Sequence, residues 1–169
     1  MTQTNFLKLV MPFKDKIYRL SKRLLVSKEE AEDATQEILL KLWKNNNSIE
    51  KYANVEAFSM TMTKNLCLDR LKSKQAQNLK IVHSNYQDHN VSLQQQIENT
   101  DSVHWVSKIM DELPEQQKII VQLRDIEDYD FSDIAKVLDM NETAVRVALS
   151  RARKTIREQL TNKHSYGLR

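Results

Sequence analysis

Apolar residues recur along most of this chain at the three-to-four spacing of amphipathic helices, and the places where that spacing fails mark its organisation. A first helix is predicted from about Phe6 to Leu25, with Pro12 at a bend or a late start. Ser27-Lys28-Glu29-Glu30 has the form of a capping box, serine at the cap and glutamate three residues on. It opens a long helix that turns Ala31, Ala34, Ile38, Leu42 and Trp43 inward and ends in the cluster Asn45-Asn46-Asn47. A loop over 47–53 follows, and Asn54 is placed to cap a third helix with Phe58, Met62, Leu66 and Leu71 among its apolar positions. That helix ends in a basic tail: Lys64, Arg70, Lys72 and Lys74.

From about Ser73 to Thr100 the periodicity dissolves into glutamine and asparagine. The expected organisation is therefore a module over 1–74, a polar flexible linker over 75–100, partly helical near Leu93 to Ile97, and a second module over 101–169. Such a linker reaches about 90 Å extended and about 30 Å as a coil, enough to seat two modules apart on one long partner.

The second module opens with a helix carrying Trp105, Ile109, Met110 and Leu113. Leu113-Pro114-Glu115 interrupts it, with Pro114 in the first turn of the next helix, where a missing N–H costs nothing. That helix buries Ile119, Ile120 and Leu123, and an acidic loop from Asp125 to Asp130 follows. Phe131, Ile134, Ala135 and Leu138 then line one short helix. Val145, Leu149, Ala152 and Ile156, at offsets of four, seven and eleven, line another. Asp139-Met140-Asn141 is the turn between them, with Asn141 capping the second. The opposite face carries Arg146, Ser150, Arg153 and Arg157, flanked by Thr143, Arg151 and Lys154. A tight turn followed by a cationic helix is the helix-turn-helix arrangement, whose second helix enters the major groove of DNA.

Composition supports an all-helical chain. Among 169 residues there are one glycine and two prolines, too few for many sharp turns. A net charge of +3 names no partner, but its distribution is informative. Residues 105–141 hold nine acids against four bases, whereas residues 142–169 hold seven bases against two acids. The acidic stretch repels phosphate and the basic one attracts it, which turns the last helix toward DNA. Cys67 is the single cysteine and lies on an apolar helical face, so neither an intramolecular disulfide nor a cysteine zinc site is expected. With no long apolar run and no signal pattern at the start, the expected location is the cytoplasm, without membrane insertion.

Several segments together resemble bacterial RNA polymerase sigma factors. Glu32-Asp33-Ala34-Thr35-Gln36-Glu37, followed by Leu39, Leu42 and Trp43, resembles their second region, and Asn65-Leu66-Cys67-Leu68-Asp69-Arg70 their promoter-melting helix. Leu113-Pro114-Glu115-Gln116-Gln117 and the terminal helix-turn-helix resemble the fourth region. Their order, and a chain limited to these two modules, point to the extracytoplasmic-function (ECF) subfamily. The resemblance implies that Asp33, Gln36 and Glu37 dock on the clamp helices of the polymerase large subunit. It further implies that the 47–53 loop and the third helix handle the minus-ten element. Tyr52 supplies a ring there, Asn65 of the third helix is a further candidate contact, and Lys64, Arg70, Lys72 and Lys74 supply charge. Relatives often carry a tryptophan after the Phe58 equivalent; Ser59-Met60 stands here.

In the last helix Arg146, Ser150 and Arg151 are the best candidates for minus-thirty-five contacts. Thr143 and Val147 lie beside them, and Arg153 and Lys154 are placed on the backbone. An anti-sigma factor is a further implied partner. The rival reading is a helix-turn-helix regulator that binds operator DNA by itself. An enzyme is not expected, nor a cofactor or metal. His83, His89, His104 and His164 lie in the linker, at its border and in the tail without ligand spacing, and a single glycine cannot build a phosphate loop.

Overall fold

The structure is a computed structural model and describes residues 1–82 and 102–166. The linker's central stretch, with its helical expectation near Leu93 to Ile97, lies outside the described residues.

Helix α1 spans Gln3–Leu25, capped by the Thr2 hydroxyl, which accepts from the Asn5 N–H. It continues through Pro12 rather than starting late. Val10, Phe13 and Ile17 are all buried on either side of the proline, and their packing offsets the lost backbone bond. Helix α2 spans Lys28–Lys44. Only half of the expected capping box forms: the Ser27 hydroxyl accepts from the Glu30 N–H at 3.3 Å, but the Glu30 carboxylate turns to Lys74. The 47–53 loop begins as a short helix, α3, over Asn46–Ile49, which seats the fully buried Ile49.

Helix α4, Val55–Val82, is capped by the Asn54 side chain, which accepts from the Ala57 N–H at 2.9 Å. It runs eight residues past position 74, into the stretch whose polar composition signals a linker. Its deepest stripe is also offset from the predicted one. Ala57, Ser59, Met60, Thr63 and Cys67 are buried, while Phe58, Met62, Leu66 and Leu71 are half-buried on the flanks. The buried hydroxyls are satisfied within the helix, Ser59 donating to the Val55 carbonyl and Thr63 to that of Ser59.

The second module comprises α5 (Ser102–Glu112), α6 (Glu115–Val121), a π-helical turn over Gln122–Ile126, α7 (Phe131–Leu138) and α8 (Glu142–Tyr166). Pro114 sits at the N-cap of α6. The expected acidic loop is thus partly helical, and the extra residue of the π turn swings the chain toward α7. Asp130 caps α7, and Asp139 ends it in the left-handed conformation, at φ 52°. Asn141 caps α8 by accepting from the Ala144 N–H at 2.7 Å. Ile134, Val137, Val145, Leu149 and Ala152 close the core of this pair.

The two modules pack against each other. α1 touches α6 and the π turn, α4 touches α7, and a single apolar cluster runs from Phe6 through Met60 and Leu123 to Ala152.

Candidate nucleic-acid interface

Burial of Val145, Leu149 and Ala152 fixes the rotation of α8, and the other side chains of the helix follow from it. Thr143, Val147, Arg151 and Lys154 form an exposed row opposite the buried stripe. Arg151 has no ion-pair partner among the described residues, and Lys154 meets only Glu158, at 3.8 Å. Arg146, Ser150, Arg153 and Arg157 lie a quarter-turn away, on the flank of an apolar groove of 630 Å³ between α5, the π turn and α8.

Two arginines of that flank are already engaged. The Arg146 guanidinium lies 4.2 Å from the centroid of the Phe131 ring and also meets Glu142. Arg153 donates twice to Asp125, at 3.1 and 2.5 Å, and these bonds hold it above its ordinary range despite the opposing cost of burial. The acidic stretch therefore does more than repel phosphate: Asp125 neutralises one cation of the last helix. The seven residues expected at the minus-thirty-five element thus divide into a free row and a partly occupied flank.

The candidate residues of the first module are arranged differently. Tyr52 is exposed and stacks on Phe58, ring centroids 4.0 Å apart at 13°. Asn65 and Lys72 are exposed along the helix. The Lys64 ammonium donates to the Val137 carbonyl at 2.9 Å, a cation on the last turn of α7. Lys74 pairs with Glu30. Arg70 bridges Asp33 at 2.7 Å and Glu37 at 2.6 Å. Burial opposes that charge, yet the bonds to Glu37 and Asp33 keep the guanidinium above its usual value. Glu37 is held below the carboxylate range by Lys41 first and Arg70 second. Two of the three expected polymerase contacts are thus tied to the helix expected to read DNA, and Gln36 alone faces away from it.

Gln36 borders a feature missed by periodicity. Between α1 and α2 lies a 450 Å³ groove lined by Phe6, Leu7, Val10, Met11, Leu39, Leu40 and Trp43, with Lys14 and Gln36 at its edge. Leu7, Met11 and Leu40 are about half exposed. Leu9-Val10-Met11 and Ile38-Leu39-Leu40 carry the signal: three consecutive apolar residues cannot all face inward on one helix.

These surfaces define a two-module helical protein with a helix-turn-helix at its C-terminal end. Comparison with known families agrees: the "Sigma-70 region 2" model matches residues 9–77, and the "Sigma-70, region 4" model residues 104–156. The ECF RNA polymerase sigma factor SigW of Bacillus subtilis is 23% identical over 94% of this chain and 90% of its own. SigE of Mycolicibacterium smegmatis, also an ECF sigma factor, is 26% identical over 93% of this chain, which spans 62% of that longer relative. Among solved structures, the sigma factor RpoE of Bartonella quintana, in complex with the anti-sigma factor NepR, superposes with a TM-score of 0.76. The match has 18% identity and covers 93% of this chain and 97% of that one. CnrH, in complex with the cytosolic domain of CnrY, gives 0.68 at 15% identity, over 95% and 90% of the two chains. The chain belongs to the sigma-70 family, in its ECF subfamily. It binds core RNA polymerase and directs it to promoters.

No helix among the described residues is long and apolar enough to cross a membrane.

Proposed function

We propose that this sigma factor divides promoter recognition between α4 and α8 and docks on the polymerase through α2. Residues 1–74 form the module for core polymerase and the minus-ten element, and 101–169 the module for the minus-thirty-five element. The exposed row Thr143, Val147, Arg151 and Lys154 enters the major groove. Arg151 is its base-reading or phosphate-gripping cation, and Val147 offers apolar contact to a thymine methyl. Arg146, Ser150 and Arg153 lie at the edge of that footprint. On the other module Tyr52, Asn65 and Lys72 meet the opened strand first, joined by Lys64, Arg70 and Lys74 once these leave their present partners. Asp33, Gln36 and Glu37 contact the clamp helices, with Leu40 adding apolar area beside Gln36. The chain works in the cytoplasm without catalytic chemistry of its own, and an anti-sigma factor is the expected antagonist.

The observation that carries this reading is the free row on α8. Its rotation is set by three buried residues, and its N-terminus by the Asn141 cap. Transcription in vitro with purified core polymerase on genomic fragments tests it. New transcript starts should appear with the wild-type chain and weaken with Arg151→Ala. Intact duplex binding without new starts would favour the operator-binding regulator.

A further inference from the structure

The N-terminus of α7 gives one aromatic ring two cations. Phe131, the first residue of that helix, is half-buried, and the centroid of its ring lies 4.8 Å from the Arg124 guanidinium and 4.2 Å from that of Arg146. Arg124 comes from the π turn and is fixed by donating to the Tyr129 carbonyl at 2.7 Å. Arg146 comes from α8, across the turn of the helix-turn-helix. The ring thus ties the π turn to the helix expected on DNA. Carboxylates of the neighbouring segments have other partners: Asp125 holds Arg153, Asp130 caps α7, and Asp133 meets Lys136 and Asn54. Glu142 reaches Arg146 only at 3.4 Å on the exposed surface, where an ion pair contributes little.

The contact with Phe131 differs in kind from the Arg153–Asp125 pair on the same flank. A carboxylate occupies the donors of a guanidinium and cancels its charge. An aromatic face does neither. It attracts the cation through its quadrupole and leaves the N–H groups, which lie in the guanidinium plane, able to bind elsewhere. Arg146 is therefore held in place while its charge stays uncancelled, and its side chain is 53% exposed. It stands a quarter-turn from the row Thr143, Val147, Arg151 and Lys154, at the margin of that surface, where DNA presents phosphates rather than base edges.

We propose that Phe131 is a positioning residue for promoter binding: its ring holds the Arg146 guanidinium as a clamp on a phosphate at the margin of the minus-thirty-five element. The proposal rests on the assignment of α8 to that element. Stacking restricts a long side chain before DNA arrives, so less conformational freedom is lost on binding. Arg146 fixes the register of α8 on the duplex without reading sequence, and the bases are left to Arg151 and Val147.

The test uses the full chain assembled with core polymerase, on a labelled duplex carrying a promoter it transcribes in vitro, at several salt concentrations. Arg146→Ala should weaken binding about five- to tenfold and lower the slope of log affinity against log salt by roughly 0.9, the loss of one phosphate contact. The loss should be equal on duplexes with single base-pair changes in the minus-thirty-five element. Phe131→Leu, which keeps apolar bulk without the ring, should reproduce part of it, and Phe131→Tyr should bind as wild type. In the Arg146→Ala background Phe131→Leu should add nothing. A ring that only supports the core would cost as much there as in the wild-type chain, and that result overturns the positioning role. Unchanged affinity and salt slope in Arg146→Ala, or a loss confined to one base pair, overturns the phosphate clamp. Proton resonances of the Arg146 side chain, assigned by their loss in Arg146→Ala, should be shifted upfield by the ring. Unshifted resonances overturn the stack whether or not Phe131→Leu folds. Arg151→Ala separates the two levels: if it binds as wild type, the assignment of α8 falls and the clamp with it. If Arg151→Ala weakens binding and Arg146→Ala does not, the clamp alone falls.

Discussion

Val26, just after α1, adopts φ 67° and ψ −38°, with the Ser27 N–H bonded to the Leu25 carbonyl at 2.8 Å. This is the strained form of γ-turn, and a β-branched side chain is poorly suited to it. Val26 is exposed, so little packing is lost with its side chain. Val26→Gly is expected to raise stability by about 1 kcal/mol, the left-handed penalty less the entropy cost of glycine; urea unfolding will measure it, and a destabilised variant would show that the turn is not strained. Tyr129 gives a second residue-level prediction. Burial, then its bond to Glu56, and the charges of Glu56, Glu127 and Asp133 all raise its pKa, although Lys16 lies over its ring and Arg124 donates to its carbonyl. Its folded value lies above the ordinary 10.0, so the unfolded chain loses this proton first and stability falls as pH rises past about 10. Spectrophotometric titration should find one tyrosine that ionises only with unfolding, and Tyr129→Phe should remove that component. None of this was legible in the sequence. A positive φ at valine has no signature, and the Arg19–Glu127 pair joins positions 108 apart in two modules with no shared periodicity.

At the scale of single elements the sequence was more informative, because capping and amphipathic spacing act within a few residues. Ser27, Asn54 and Asn141 all cap the helices expected of them. The buried stripe of α8 is the predicted one, apart from half-buried Ile156. Spacing failed on α4, which packs on α1 with one side and on α7 with another. A helix buried on two sides has no single stripe, and small polar residues such as Ser59 and Thr63 can occupy its core. Spacing also grouped the α8 cations without separating the free from the engaged, since Asp125 lies 28 residues before its partner Arg153. That distinction yields a contrast. Arg151→Ala should weaken binding to the minus-thirty-five element by about 1–3 kcal/mol if it reads a base, and leave stability nearly unchanged. Arg153→Ala should cost up to about 1 kcal/mol of stability, as exposed ion pairs do, with the smaller effect on DNA. Promoter-fragment binding and thermal unfolding of both variants decide the matter, and equal effects on DNA would return Arg153 to the reading face.

For the whole molecule the governing fact is that neither module owns a large core. Each has about 70 residues, a size at which burial is marginal. α6 and α7, of seven and eight residues, are too short to persist without packing. α1 serves both modules, giving Ile17 and Leu20 to the shared apolar cluster and Arg19 and Arg23 to the seam between them, where they donate to Glu127 and Gln122. The wild-type chain is therefore expected to melt in one transition, with calorimetric and van't Hoff enthalpies in agreement. Arg19→Glu sets a second carboxylate against buried Glu127, so the seam should open well before either module unfolds. Its melting should then split. The helix-turn-helix module should go first, since it loses the support of α1 and α4, while α1, α2 and α4 still pack on one another. A single sharp transition at a merely lower temperature would mean that the apolar contacts, not the ion pair, hold the modules together.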